Sequence, residues 1–115
     1  MEHRYTERKP ADFSVVVSCP RVGLFRGMVR DVSLGGMMVQ SNCVVIPMHA
    51  PVTVSFQPDP DDPLSCLQAQ GMVIHQHGST FGLMFDDLTT DCENAMRALL
   101  INLKAGYKSD IALHG

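Results

Sequence analysis

From Ala11 to Asp86 the apolar residues recur largely at every second position, and proline, glycine and asparagine cut them into short runs. A period of two sends alternate side chains to opposite faces of an extended strand, so the pattern calls for a sheet with one buried face. Ala11 to Cys19 sets Phe13, Val15, Val17 and Cys19 against Ser14 and Ser18, with Val16 out of step, and stops at Pro20. Val22 to Val32 reads as a long second strand with a bend at Gly27. Its period places Leu24, Arg26, Met28 and Arg30 on one face and Phe25, Val29 and Asp31 on the other. Neither face is cleanly apolar, so this strand is expected to carry polar work as well as core. Met37 to Gln40 gives a short strand, and Asn42 to Ala50 shows no clear pattern. Val52, Val54 and Phe56 then alternate with Thr53, Ser55 and Gln57. Pro58 to Ser65 is polar and rich in breakers, as an exposed hairpin loop would be. Cys66–Gln76 and Thr80–Asp86 flank His77-Gly78-Ser79, a hairpin with Gly78 in its turn.

The period changes once. Cys92, Ala95, Met96, Leu99, Leu100 and Leu103 follow helical spacing, with Ile101 off the stripe. Thr90 and Glu93 form a capping-box pair, Asp91 adds charge at the positive end of the dipole, and the stripe ends near Gly106. Strands followed by a single helix specify a mainly β protein: a small antiparallel barrel or roll capped by that helix.

With 115 residues the chain supplies one hydrophobic core. No apolar run reaches the roughly 20 residues of a membrane helix, and the polar start, Met1 to Pro10, is unlike a signal peptide. A cytoplasmic location without membrane insertion follows as the expectation. Cys19, Cys43, Cys66 and Cys92 have no CxxC spacing and are expected as small buried residues. Up to Arg30 the charges sum to +3, and the remainder carries −6. A local basic end of this kind suits a small anion better than a nucleic-acid lattice. With 6% aromatic residues and no Trp there are few platforms for stacking bases, which also speaks against an OB- or SH3-like nucleic-acid binder.

Two short stretches carry more specific chemistry. Arg4 and Arg8 lie four residues apart in a leader with no apolar periodicity. Their guanidinium groups offer planar donor forks that fit phosphate oxygens and the O6/N7 edge of guanine. Asp31-Val32-Ser33-Leu34-Gly35-Gly36 ends a strand with an acid, a hydroxyl and two glycines. A carboxylate can accept from guanine N1–H and N2–H, and Gly35 and Gly36 permit positive φ and a flat ligand against bare backbone. The other candidates are weaker. An EF-hand loop counted from Asp59 has Leu64 and Gln70 where glycine and glutamate belong. His75 and His77 share a face but have no third ligand nearby in sequence. No serine, cysteine or paired acid has a base at motif spacing, so a receptor is expected and not an enzyme.

RxxxR (Arg4, Arg8) followed by DxSxxG (Asp31, Ser33, Gly36), with Gly71-Met72-Val73 and Phe81-Gly82-Leu83-Met84-Phe85 further on, resembles the PilZ domain. The resemblance implies a six-stranded antiparallel β-barrel with a C-terminal α-helix and a bacterial receptor for the second messenger cyclic di-GMP. It implies a ligand site at Arg4, Arg8, Asp31, Ser33, Gly35 and Gly36, no metal and no cofactor beyond that ligand. His3 stands where many members carry a further arginine, which leaves open whether the ligand binds as a monomer or an intercalated dimer. The division that results is a flexible arm over 1–10, barrel and helix over 11–106, and a tail over 107–115. Nucleotide would order the arm and change the surface offered to a protein partner in motility, pilus or biofilm control. The alternative is a PilZ-like interaction module that binds no nucleotide.

Overall fold

The computed structural model describes residues 8–41, 46–57, 61 and 66–114, with side-chain surroundings up to Leu103 except at position 102. Arg4 and the rest of the expected arm up to residue 7, Cys43, and most of the acidic loop with Asp59 and Asp62 lie outside the described residues. Within them are six strands and a helix: β1 (Lys9–Cys19), β2 (Gly23–Val32), β3 (Gly36–Gln40), β4 (Pro51–Phe56), β5 (Leu67–His77), β6 (Thr80–Phe85) and α1 (Thr90–His114). All neighbours pair antiparallel and the sheet closes on itself in the order β1-β2-β3-β6-β5-β4. The expected six-stranded barrel with a C-terminal helix is what forms.

Alternation drives the closure. Val15 and Val17 of β1, Val29 of β2, Val39 of β3, Val54 of β4, Val73 of β5 and Phe81 of β6 are all buried in one core. Each such side chain withdrawn from water contributes on the order of 1.5–3 kcal/mol. Cys92, Met96 and Leu99 of α1 join the same cluster, and α1 packs against β1 and β5. Ile101, off the stripe, is 69% exposed. The hairpin between β5 and β6 turns through Gly78 and Ser79, with Gly78 at φ 62°, the left-handed conformation a tight two-residue turn requires.

The seam between β1 and β4 is short. It pairs Val16–Ser18 with Thr53–Ser55, after which contact continues through the Phe13 and Phe56 rings, 5.4 Å apart between centroids.

The registers carry bulges that an ideal alternation does not anticipate. β1 holds an extra residue relative to β2 between Pro10 and Phe13, and β2 an extra residue relative to β3 between Val29 and Asp31. The second bulge, at Arg30, shifts the phase of β2. Val29 and Val32 are buried, and Asp31 is turned to the outer face opposite Met38 and Pro10. The sequence placed Asp31 on the face of Val29, and the bulge corrects that.

Element ends also differ. β1 begins at Lys9 and includes Pro10, which is tolerated because among the described residues this part of β1 pairs with β2 alone and its other edge needs no N–H. The helix is capped by Thr89, whose Oγ1 accepts from the Cys92 N–H at 3.1 Å, and not by Thr90. Adjacent threonines are equally able caps, so local sequence does not separate them. Glu93 is therefore past the box position and pairs with Arg97 at 2.9 Å. The helix also runs through Gly106 to His114, across the expected tail; one interior glycine costs only about 1 kcal/mol against alanine.

Candidate functional site

The segment Ser33 to Gly35 joins β2 to β3 and ties itself down. The Ser33 N–H donates to the Gly36 carbonyl at 2.8 Å. The N–H groups of Gly35 and Gly36 donate to Ser33 Oγ at 3.1 and 3.2 Å, and Oγ lies 3.4 Å from the Gly36 carbonyl. Ser33 is 2% exposed. The Gly35 carbonyl accepts from the Phe85 N–H at 2.8 Å, which fastens the turn to β6. Gly36 pairs with Met84, and a Cβ there would run into the backbone carbonyl of Leu83. Neither Gly35 nor Gly36 is among the residues at positive φ. The glycine at position 36 answers to the close approach of β6, not to the conformational freedom the sequence reading supplied.

Asp31 stands at the outer edge of this turn. Its Oδ1 accepts from Arg8 Nη1 at 2.6 Å, a short charge-assisted bond. Lys9 pairs with Val32, so Arg8 follows directly where β1 runs past the start of the turn. The Arg8 side chain is 42% exposed and that of Asp31 29%, so the pair sits in contact with solvent. Beside it a second polar array crosses three strands. Arg30 Nε donates to Gln40 Oε1 at 2.8 Å, and Arg30 Nη1 lies 3.6 Å from Asp12 Oδ1. Arg30 and Gln40 are not among the site residues expected from the sequence. Their only signal was an arginine directly before the motif aspartate, and the bulge that aims it is not legible in a pattern.

The outer face continues from Asp31 through Met38 to Gly82 and His75, which are register partners in succession. The His75 imidazole covers the bare backbone of Gly82, where any Cβ would meet the ring. Among the described residues no group of three or more His, Cys, Asp or Glu is arranged to hold a metal ion. Cys19 and Cys92 are buried and Cys66 is exposed, all three as free thiols, so the expectation of buried cysteines fails at position 66. Burial pushes the Cys92 thiol above its ordinary pKa.

Of the expected site, Arg8, Asp31, Ser33, Gly35 and Gly36 come together at one rim of the barrel. Within this group the Ser33 hydroxyl accepts from the Gly35 and Gly36 N–H groups of its own turn. Arg4 lies outside the described residues. No helix among the described residues is long and apolar enough to cross a membrane.

A family model described as the PilZ domain matches residues 2–102. Solved structures with the same architecture include the PilZ domain of CeSA from a cellulose-synthesizing bacterium, at 19% identity and a TM-score of 0.70, covering 86% of this chain and 99% of that one. A PilZ domain of YcgR from Escherichia coli, determined with c-di-GMP, aligns at 10% identity and a TM-score of 0.76, covering 92% and 95%. The Legionella protein Lpg0364 aligns at 16% identity and a TM-score of 0.55, covering 89% and 98%. At these identities the likenesses speak to the fold alone. No curated protein gives a significant match.

Proposed function

Because the chain belongs to the PilZ domain family, we propose that it is a cyclic di-GMP receptor without catalytic activity. The observation that carries this reading is the Arg8–Asp31 pair, set on a turn that Ser33 and β6 hold still. An arginine fork beside a carboxylate can address both parts of a guanine nucleotide. Arg8 supplies donors for phosphate oxygens or the O6/N7 edge. The Asp31 carboxylate has lone pairs beyond the one Arg8 uses, and these suit guanine N1–H and N2–H. Arg4, one helical turn or four extended residues earlier in the chain, would add a second guanidinium.

In this reading Ser33 and Gly36 act by position. They fix the height of the turn so that a planar base can lie against Gly35. The nucleotide orders residues 1–7 over the rim, which changes the surface met by a protein partner, in a bacterial cytoplasm. Nucleic acid is no partner here, since the basic groups are few and the outer face also carries Asp12 and Asp31.

Titration calorimetry with cyclic di-GMP tests the proposal. Saturable binding is expected, and its stoichiometry separates one nucleotide per chain from an intercalated pair. Absence of binding at micromolar protein would overturn the receptor reading and leave an interaction module without nucleotide.

A further inference from the structure

A cleft of about 420 Å³ opens where the 33–35 turn, the end of β6 and the start of α1 meet. Leu34, Met84 and Leu88 give it an apolar wall, and Asp86 and Asp87 stand on its rim. Met84 points outward and is 47% exposed. Its register partners are Gly36, which has no side chain to cover it, and Met72, another methionine. Methionine is flexible and polarisable and adapts to irregular partners. Asp86 and Asp87 are exposed and form no ion pair with another described residue. Glu93, deeper in the lining, is already held by Arg97.

We propose that this cleft is the docking site of a protein partner, which inserts one apolar side chain flanked by lysine or arginine. Charge complementarity selects that occupant. A basic segment brings its cations to Asp86 and Asp87 while the anchor leaves water against Met84 and Leu88. The same carboxylates repel an anionic membrane surface and nucleic-acid phosphates. A second copy of this chain, docked by a two-fold axis through the cleft, would bring its own Asp86 and Asp87 to face the first pair. This inference goes beyond the nucleotide reading and does not rest on it; because Gly35 borders both sites, its test is run without nucleotide.

Random linear peptides displayed on phage are panned against the full chain. The strongest synthetic binder is then titrated into protein carrying ¹³C-methyl methionine. The expected binders combine a Leu, Phe or Met anchor with neighbouring Lys or Arg, and they shift the Met84 methyl while leaving Met48 unmoved. Met84→Ser should weaken binding about tenfold or more, as truncating a central anchor contact does. The Asp86→Asn/Asp87→Asn double variant should weaken it and flatten its dependence on salt. Met84 lies on the outer face, so its replacement should leave the melting curve in place; Leu88→Ser provides a second anchor-wall variant. The proposal is overturned if no peptide is enriched, if binders are acidic or lack an anchor, or if Met84→Ser and Leu88→Ser both bind as wild type. Sedimentation showing a dimer that Met84→Ser dissociates would also overturn it, in favour of a second copy.

Discussion

The two halves of the rim site are built on opposite terms. The turn from Ser33 to Gly36 is buried, bonded to itself through one hydroxyl and fastened to β6 through Phe85 and Met84. Arg8, a few residues away in space, is solvent-exposed and held by one ion pair to Asp31. Exposed ion pairs contribute about 0–1 kcal/mol to folding. Under the proposed function, stability therefore resides in the turn and recognition in the arginine, and substitutions should separate the two.

The largest effect is expected at the exposed half. Charge-assisted hydrogen bonds are worth about 1.5–3 kcal/mol each, so Arg8→Ala should cost roughly 3 kcal/mol of cyclic di-GMP affinity, a hundredfold. Its apo melting curve should match wild type to within about 0.5 kcal/mol. Calorimetry and a thermal melt on the same preparation check both parts. Unchanged affinity would remove Arg8 from the site.

Gly36→Ala should behave in the reverse sense. The added methyl meets the Leu83 carbonyl, which is backbone of a core strand and cannot swing aside. Overpacking of this kind costs about 1–3 kcal/mol, seen as a lowered denaturation midpoint without ligand. A midpoint equal to that of wild type would mean that β3 and β6 separate more easily than their pairing implies.

Ser33→Ala sharpens the contrast at a smaller scale. It removes the acceptor of the Gly35 and Gly36 N–H groups, and leaving such groups unsatisfied costs about 1–3 kcal/mol, less where water can enter at the rim. Stability should fall, and affinity should fall only as the turn loosens. An Ser33→Ala protein that is fully stable but blind to nucleotide would show the hydroxyl to be a ligand contact after all.

The smallest effect belongs to neither half and serves as a background. Burial raises the Cys92 thiol pKa above its unfolded value. The folded state therefore holds that proton longer, and its contribution to stability is present below the unfolded value and lost as pH rises through the folded one. Melts taken from neutral pH to above about pH 9 should decline less steeply for Cys92→Ala than for wild type. Parallel slopes would deny the thiol any part in alkaline unfolding.

Much of this arrangement is legible in the amino-acid sequence. Alternation located β1 and β4 because their buried and open residues take turns along the strand, which is the condition under which a period of two survives in sequence. The helical stripe of Cys92, Met96 and Leu99 was legible for the same reason. What escaped depends on contacts between distant segments. The bulge at Arg30 is a mismatch between β2 and β3, and no single strand records it. The steric cause at Gly36 was not legible, since the carbonyl that excludes a side chain arrives from Leu83, far along the chain. The Ser33 hydroxyl could bond to ligand or to backbone by chemistry alone, and its bonds to the backbone of its own turn are set by the turn's geometry. Thr89 and Thr90 posed an even choice that the sequence cannot make.

The short seam between β1 and β4 has a consequence for how the molecule comes together. A closed barrel owes its resistance to fibre-like association to having no open edge, yet among the described residues β1 from Lys9 to Val15 is paired with β2 alone. Helix α1 lies against β1 and β5, the strands on either side of β4. It thus packs beside a stretch of sheet that could otherwise template a neighbour. Closing this seam joins segments remote in the chain and so belongs late in folding, after the β5–β6 hairpin. Until Met96 and Leu99 dock, a nascent chain carries an adhesive flank, and a truncation before Thr90 would leave it carrying one for good.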